Sequence, residues 1–257
     1  KATPRDMLRI QLDDRALVLE RWRDLLLAVL TPEVTRSDPR RAELRRHVES
    51  WGGRAAAESV GYRVVREFRS AVSSAVLGAA LSRCRDADPR LRHWHLRQRE
   101  GPVWQILQER PEHLLDPRHE SWDEQLVAAV DTTLLRLLRI GDDLAERTWG
   151  ERNATRIRHP ISRAVPALRR WLDMPRRALP GDRDMPRVQA PTFGPSQRLV
   201  VSPGREELGF FHMPCGQSGH PMSPFYRNSH AAWENGEPTP FLPGPALHTL
   251  VLSPSDR

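Results

Sequence analysis

The chain has 257 residues, 39% of them hydrophobic and 28% charged, with a formal net charge of +7 and a pI near 10.6. That length and balance suit a folded chain with a sizeable core and exclude a disordered polyampholyte. No apolar run approaches the roughly 20 residues that a spanning helix needs, the longest being of the kind seen at Leu25 to Leu30, so no membrane span is expected. The two cysteines, Cys84 and Cys215, can form one disulfide at most and fit neither a disulfide scaffold nor paired zinc ligands. The chain opens at Lys1 with neither an initiator methionine nor a signal-peptide pattern, so a processed chain or a fragment is expected, with any targeting signal upstream.

A basic chain raises nucleic acid as a partner. Here Lys1 is the only lysine, and the arginines alternate with acids, as in "RAELRRHVES" and "DDLAERTWGER". That pattern reads as the arginine bias of a G- and C-rich genome rather than a basic stripe, and no nucleic acid is expected.

In chain order, "TPRDMLRIQLDDRALVLERWRDLLLAVL" reads as helix, with Thr3 as N-cap, Pro4 in the first helical position and Asp6 in the first turn. Leu8, Leu12, Leu19, Trp22, Leu26 and Val29 or Leu30 give it one apolar face. A second helix starts at Asp38-Pro39, buries Leu44, Val48 and Trp51, and stops at Gly52-Gly53. A third is expected from Ala55 to Ser82, where Ser70, Ser73, Ser74, Gly78 and Ala79 would let a neighbour approach closely. Residues 85–120 are broken by turn signals around a short helix from Val103 to Glu109. Ser121 then caps a strong helix that Gly141 ends.

After Trp149 prolines accumulate and helical periodicity fades. Gln197 to Ser202, Leu208 to Met213 and His248 to Leu252 read as strands. The fold class is α+β: a helical region over residues 1–148, then antiparallel strands and long ordered loops over residues 149–257. The two parts need not be separate domains, because three short strands make a poor independent sheet.

The densest chemistry lies in "MPCGQSGHPMSPFY". Gly216, Gln217, Ser218 and Gly219 resemble a nucleophile elbow, but the second glycine comes one residue early and His220-Pro221 stands where the helix should begin. A structural corner is the better reading, with both glycines at positive φ and Ser218 bonded to its own backbone. His212, Cys215 and His220, with His93 and His95 in "HWH", lack the pair-and-pair spacing of a metal site. Asp13-Asp14 and Asp142-Asp143 point about 100° apart on a helix and read as solvated ends rather than acid–base pairs. Trp22, Trp51 and Trp122 read as core or interface anchors. No complete catalytic set appears in these residues.

Taken together and in this order, several segments resemble the C-terminal part of the β chain of the penicillin amidase family. They are the Gln11-x-Asp13 helix, "SDPRRAELRRHVESWGG", "RTWGERNATRIRHPIS", "FGPSQRLVVSP", and Gly216-Gln217-Ser218-Gly219 followed by Ser-Pro-x-Tyr and a tryptophan. The resemblance implies an N-terminal nucleophile hydrolase with an αββα sandwich. A self-cleaving precursor would supply an α chain and a β chain, whose first residue, a serine, attacks an amide with its own α-amino group as base. It implies N-acyl substrates (β-lactams, acyl-homoserine lactones or lipopeptides), a structural calcium in the complete enzyme, and a periplasmic or secreted location.

The nucleophile, the oxyanion asparagine and the calcium ligands would all lie upstream. This chain is therefore expected to hold no catalytic residue, to be inactive and poorly soluble alone, and to need the α chain and the upstream part of the β chain as partners. The alternative is a non-enzymatic binding or scaffold protein that retains the acylase-like region. "PGDRDMPRV" and Cys215 depart from the family pattern and are expected to alter only local loop shape.

Overall fold

The computed structural model describes residues 2–91 and 96–254. Helix α1 (Pro4–Gln11) begins where expected: Thr3 accepts the Asp6 N–H, and the Asp6 carboxylate accepts the Thr3 N–H at 2.9 Å. The predicted single helix then breaks before α2 (Leu17–Val29). Asp13 Oδ1 accepts the Arg15 N–H at 3.0 Å, turning the chain locally. The opened backbone pairs elsewhere: Ala16 N–H to the Gly53 carbonyl, Ala55 N–H to Asp14, and Arg187 N–H to Asp13. Leu8, Leu19, Trp22 and Leu26 still face inward, because both helices keep the apolar stripe.

After a short α3 (Pro32–Arg36), α4 (Pro39–Glu49) starts at Asp38, whose carboxylate accepts the Arg40 N–H. Its residues Leu44 and Val48, and Trp51 just beyond, are buried. The central helix α5 (Val60–Ala80) is capped by Ser59 and so begins five residues later than expected; α6 (Ser82–Ala87) follows it. Next come α7 (Glu100–Glu109) and α8 (Trp122–Leu138), the latter capped by Ser121 accepting the Glu124 N–H at 3.1 Å.

Helix α5 packs against α8, α4, α2 and α7, and Val64, Val65, Phe68, Val72 and Val76 form the middle of the core. The close approach expected at Gly78 and its small neighbours lies instead at Gly61. A Cβ there would sit 2.4 Å from the His47 carbonyl oxygen and 2.6 Å from Trp51 Cβ, whereas Gly78 faces open space.

Beyond Trp149 the described chain carries only short elements: α9 (Trp149–Arg152), α10 (Pro160–Ala164), α11 (Arg169–Leu172), β1 (Arg198–Val200), β2 (Phe210–His212) and α12 (His230–Asn235). The strands β1 and β2 pair antiparallel, with Arg198 opposite His212 and Val200 opposite Phe210. Both are shorter than expected, and residues 206–208 turn as a 3₁₀ helix before β2. The third expected strand does not form. Residues 248–252 run without a pairing partner, and Leu250, Val251 and Leu252 are about four-fifths exposed, at 82%, 78% and 84%. An apolar β-prone run becomes a strand only where a sheet edge receives it, and the β2 edge is taken by Phe211 N–H to the Thr239 carbonyl and Phe241 N–H to Gly209.

Candidate functional site

The Gly216–Gly219 corner is held by main-chain bonds to the segment that returns beside it. Gly216 N–H donates to the Tyr226 carbonyl at 2.9 Å and Ser218 N–H to Phe225 at 3.2 Å. Ser218 Oγ accepts the His220 N–H at 3.1 Å. Neither glycine has positive φ, contrary to expectation. Gly216 is required for a different reason: a Cβ there would meet the Phe225 carbonyl oxygen at 1.8 Å. Gly219 faces open space. Gln217 is exposed, and its amide reaches only the Met213 sulfur, at 3.3 Å.

The neighbouring histidines are engaged locally. His212 is buried against Arg198, which can only donate; its Nε2 therefore accepts, at 3.2 Å, and its Nδ1 donates to the Glu237 carbonyl at 2.9 Å. Burial, and then the Arg198 charge, hold this imidazole below its ordinary pKa. His220 Nδ1 accepts the Met222 N–H. Burial pushes the Cys215 thiol up, which makes it a poor nucleophile. Among the described residues no three His, Cys, Asp or Glu side chains converge as metal ligands. His93 and His95 lie outside the described residues.

The aspartate pairs diverge, but not as two solvated ends. Asp142 and Asp143 are exposed. Asp14 is buried and pairs with Arg54 at 2.6 Å, while Asp13 grips Arg15, whose hydrogen bonds hold its carboxyl at about 2. The helix break accounts for this, since it turns Asp14 inward.

The most organised polar cluster was not singled out from the sequence. Asp182, in the "PGDRDMPRV" segment, is buried; its carboxylate accepts the Tyr62 hydroxyl at 2.8 Å and pairs with Arg66. The Arg66 guanidinium lies 4.9 Å from the Trp149 ring centroid, and Trp149 packs edge-on against Tyr62. Burial works against the Arg66 charge, and Asp182 outweighs it. Burial, and then the same carboxylate, push the Tyr62 hydroxyl upward, so it stays protonated and donates.

Beside this cluster, fully buried Asn153 offers its amide to three carbonyls, Leu179 at 2.9 Å, Gly181 at 3.1 Å and Gln189 at 3.0 Å. Trp149 Nε1 donates to Gly181 at 2.8 Å. These bonds tie residues 149–190 to one another, and Asp182 fastens that segment to α5 through Tyr62 and Arg66. In the sequence this joint shows only as part of "RTWGERNATRIRHPIS", one of the stretches that carry the family resemblance.

One concavity of about 520 Å³ opens directly over the cluster. The start of α2, the start of α7 and residues 182–186 form its walls, with Tyr62, Arg66 and Asp182 at its inner side. It contains hydrogen-bond donors, carboxylates and apolar side chains, but the described residues bring no serine, cysteine or histidine into it.

The described part of the chain is thus a helical layer carrying a loop-rich segment with a small antiparallel sheet, joined by a buried polar cluster. The family model for penicillin amidase matches residues 1–246, and the chain belongs to that family. It is 27% identical over 212 residues to the penicillin acylase 2 proenzyme of Pseudomonas sp. (strain SE83), a match covering 78% of this chain and 26% of that protein. The chain spans about a quarter of the length of that curated relative.

Proposed function

We propose that this chain is the structural C-terminal part of an acylase that hydrolyses the amide bond of N-acyl compounds, with the nucleophile and the oxyanion donors supplied by residues outside it. The family match running through residues 1–246 carries this reading. It is supported by the absence of a nucleophile–base pair at the Gly216–Gly219 corner, where Ser218 Oγ is engaged with the backbone of His220. In the complete protein the helices and sheet of this chain would support an N-terminal nucleophile sandwich. An α chain and the upstream part of a β chain, cut from one precursor, would be its partners. That the matched relative is a proenzyme fits this division.

β-Lactams, acyl-homoserine lactones or lipopeptides are the substrate classes, and a periplasmic or secreted site is the location. The chain alone would be inactive. A structural calcium of the complete protein would be held by residues outside this chain; among the described residues no three His, Cys, Asp or Glu side chains are gathered to hold a metal.

The test is to trap the acyl-enzyme of the complete protein with a slow N-acyl substrate and map the adduct by mass spectrometry. The expected adduct lies on an N-terminal Ser, Thr or Cys outside these 257 residues, and Ser218→Ala leaves the acylation rate unchanged. An adduct on Ser218, or an acylation rate lost in a folded Ser218→Ala variant, overturns the proposal.

A further inference from the structure

The cleft over Tyr62 and Asp182 has a charge pattern that structural support does not need. Five arginines line it, Arg15, Arg66, Arg69, Arg97 and Arg99, against three carboxylates, Glu100, Asp182 and Asp184. Arg66 is paired with Asp182, Arg69 with Glu100 at 2.7 Å, and Arg15 with Asp13 outside the cleft. Among the described residues Arg97 and Arg99 have no ion-pair partner, so the positive excess is concentrated where α7 begins.

The cleft also has apolar lining. Leu17 and Val18, adjacent at the head of α2, are 61% and 54% exposed, and Leu96, Met185 and Pro186 line it as well. The volume of about 520 Å³ is in the range of sites for small ligands.

We infer that this cleft binds a carboxylate joined to an apolar chain, with the carboxylate at Arg97 and Arg99 and the chain along Leu17, Val18, Leu96 and Met185. A monoanion suits the site better than a phosphate dianion, because Glu100, Asp182 and Asp184 would repel a second charge. Two sources share this chemistry: a free acid of the kind that amide hydrolysis releases, and an N-acyl amino acid. The inference goes beyond the hydrolytic reading and needs only binding, so either can fail without the other.

The experiment is calorimetric titration of the purified protein with decanoate and with N-decanoylglycine, each below its micelle threshold, and with 1-decanol as the uncharged control. Saturable binding of at least one acid is expected. The Arg97→Gln/Arg99→Gln variant should weaken it about tenfold or more, since charge-assisted hydrogen bonds are lost. Leu17→Glu, which suits a helix start and leaves the fold intact, should weaken it similarly. Decanol should bind about tenfold less tightly than the better acid or not at all. Tighter binding of decanoate assigns the site to a released acid, and tighter binding of N-decanoylglycine to an acyl amino acid. No saturable binding of either acid overturns the inference. So does affinity unchanged in both variants at unchanged melting temperature, or decanol binding as tightly as the acids.

Discussion

Asn153 does more for this fold than its size suggests. It is buried, and its one amide group serves the carbonyls of Leu179, Gly181 and Gln189. Buried carbonyls without a donor cost free energy because no water replaces the lost bond. Gly181 keeps the Trp149 Nε1 donor, so Asn153→Ala strips the donor from the Leu179 and Gln189 carbonyls and should destabilise the protein by about 2 kcal/mol, read as a lowered denaturation midpoint; a change below about 0.5 kcal/mol would mean that these two carbonyls find other partners. In the sequence this residue lies unmarked within the "RTWGERNATRIRHPIS" stretch. Nothing local distinguishes it from Asn228 or Asn235, because its partners lie 26 to 36 residues away.

The same holds for Gly216. Two glycines around a serine suggested positive φ, and what requires glycine is the Phe225 carbonyl, brought close by a chain return nine residues later in sequence. Asp182 is the clearest miss. It lies in a segment expected to affect only loop shape, yet it receives Tyr62 and Arg66 from the middle of the helical core.

At the scale of elements, caps were legible and continuity was not. Thr3, Asp38 and Ser121 each accept a first-turn N–H as read from the sequence, each a short polar side chain before a helical run, whereas the Ser59 cap was missed because the helix was expected to start at Ala55. The break between α1 and α2 was hidden because the apolar spacing continues across it. What breaks the helix is the exchange of its own hydrogen bonds for those to Gly53, Ala55 and Arg187, residues remote in sequence.

The loop that leads into α8 permits a test by pH. Asp116 accepts the Arg118 N–H and guanidinium, and its own N–H donates to buried Gln125 at 3.0 Å. The Arg118 hydrogen bonds outweigh burial and lower the carboxyl from 3.8 to about 2. A depressed carboxyl stabilises the fold fully above its unfolded value and loses that contribution as pH falls through the folded one. Because Arg118 is 79% exposed, the contribution should be no more than about 1 kcal/mol. The melting-temperature gap between the protein and Asp116→Asn should hold from pH 7 to 4, then close between 3.8 and about 2. A gap that persists at pH 2 would show that shape, not charge, makes the difference.

Across the whole molecule the helical layer buries its tryptophans, leucines and valines, whereas the end of the described chain does not. Leu247, Leu250, Val251 and Leu252 are all more than three-quarters exposed, at 85%, 82%, 78% and 84%. Contiguous exposed apolar side chains drive association. The isolated chain should therefore elute as a mixture of sizes in light-scattering chromatography. Leu250→Lys with Leu252→Lys should shift it towards monomer without changing the melting temperature; an unchanged size distribution would place the sticky surface elsewhere.

The sequence by itself determined the helical first half, most of its caps and apolar stripes, the short antiparallel pair and the family. These depend on neighbours within a few turns, or on an ordered set of short motifs. Tertiary structure alone decided where the first helix breaks, which aspartate is buried, why Gly216 is glycine, and that Tyr62, Arg66, Trp149 and Asp182 meet beneath a cleft edged by Arg97 and Arg99. Each of these arises from contacts between segments far apart in the chain, and side-chain periodicity carries no record of such partners.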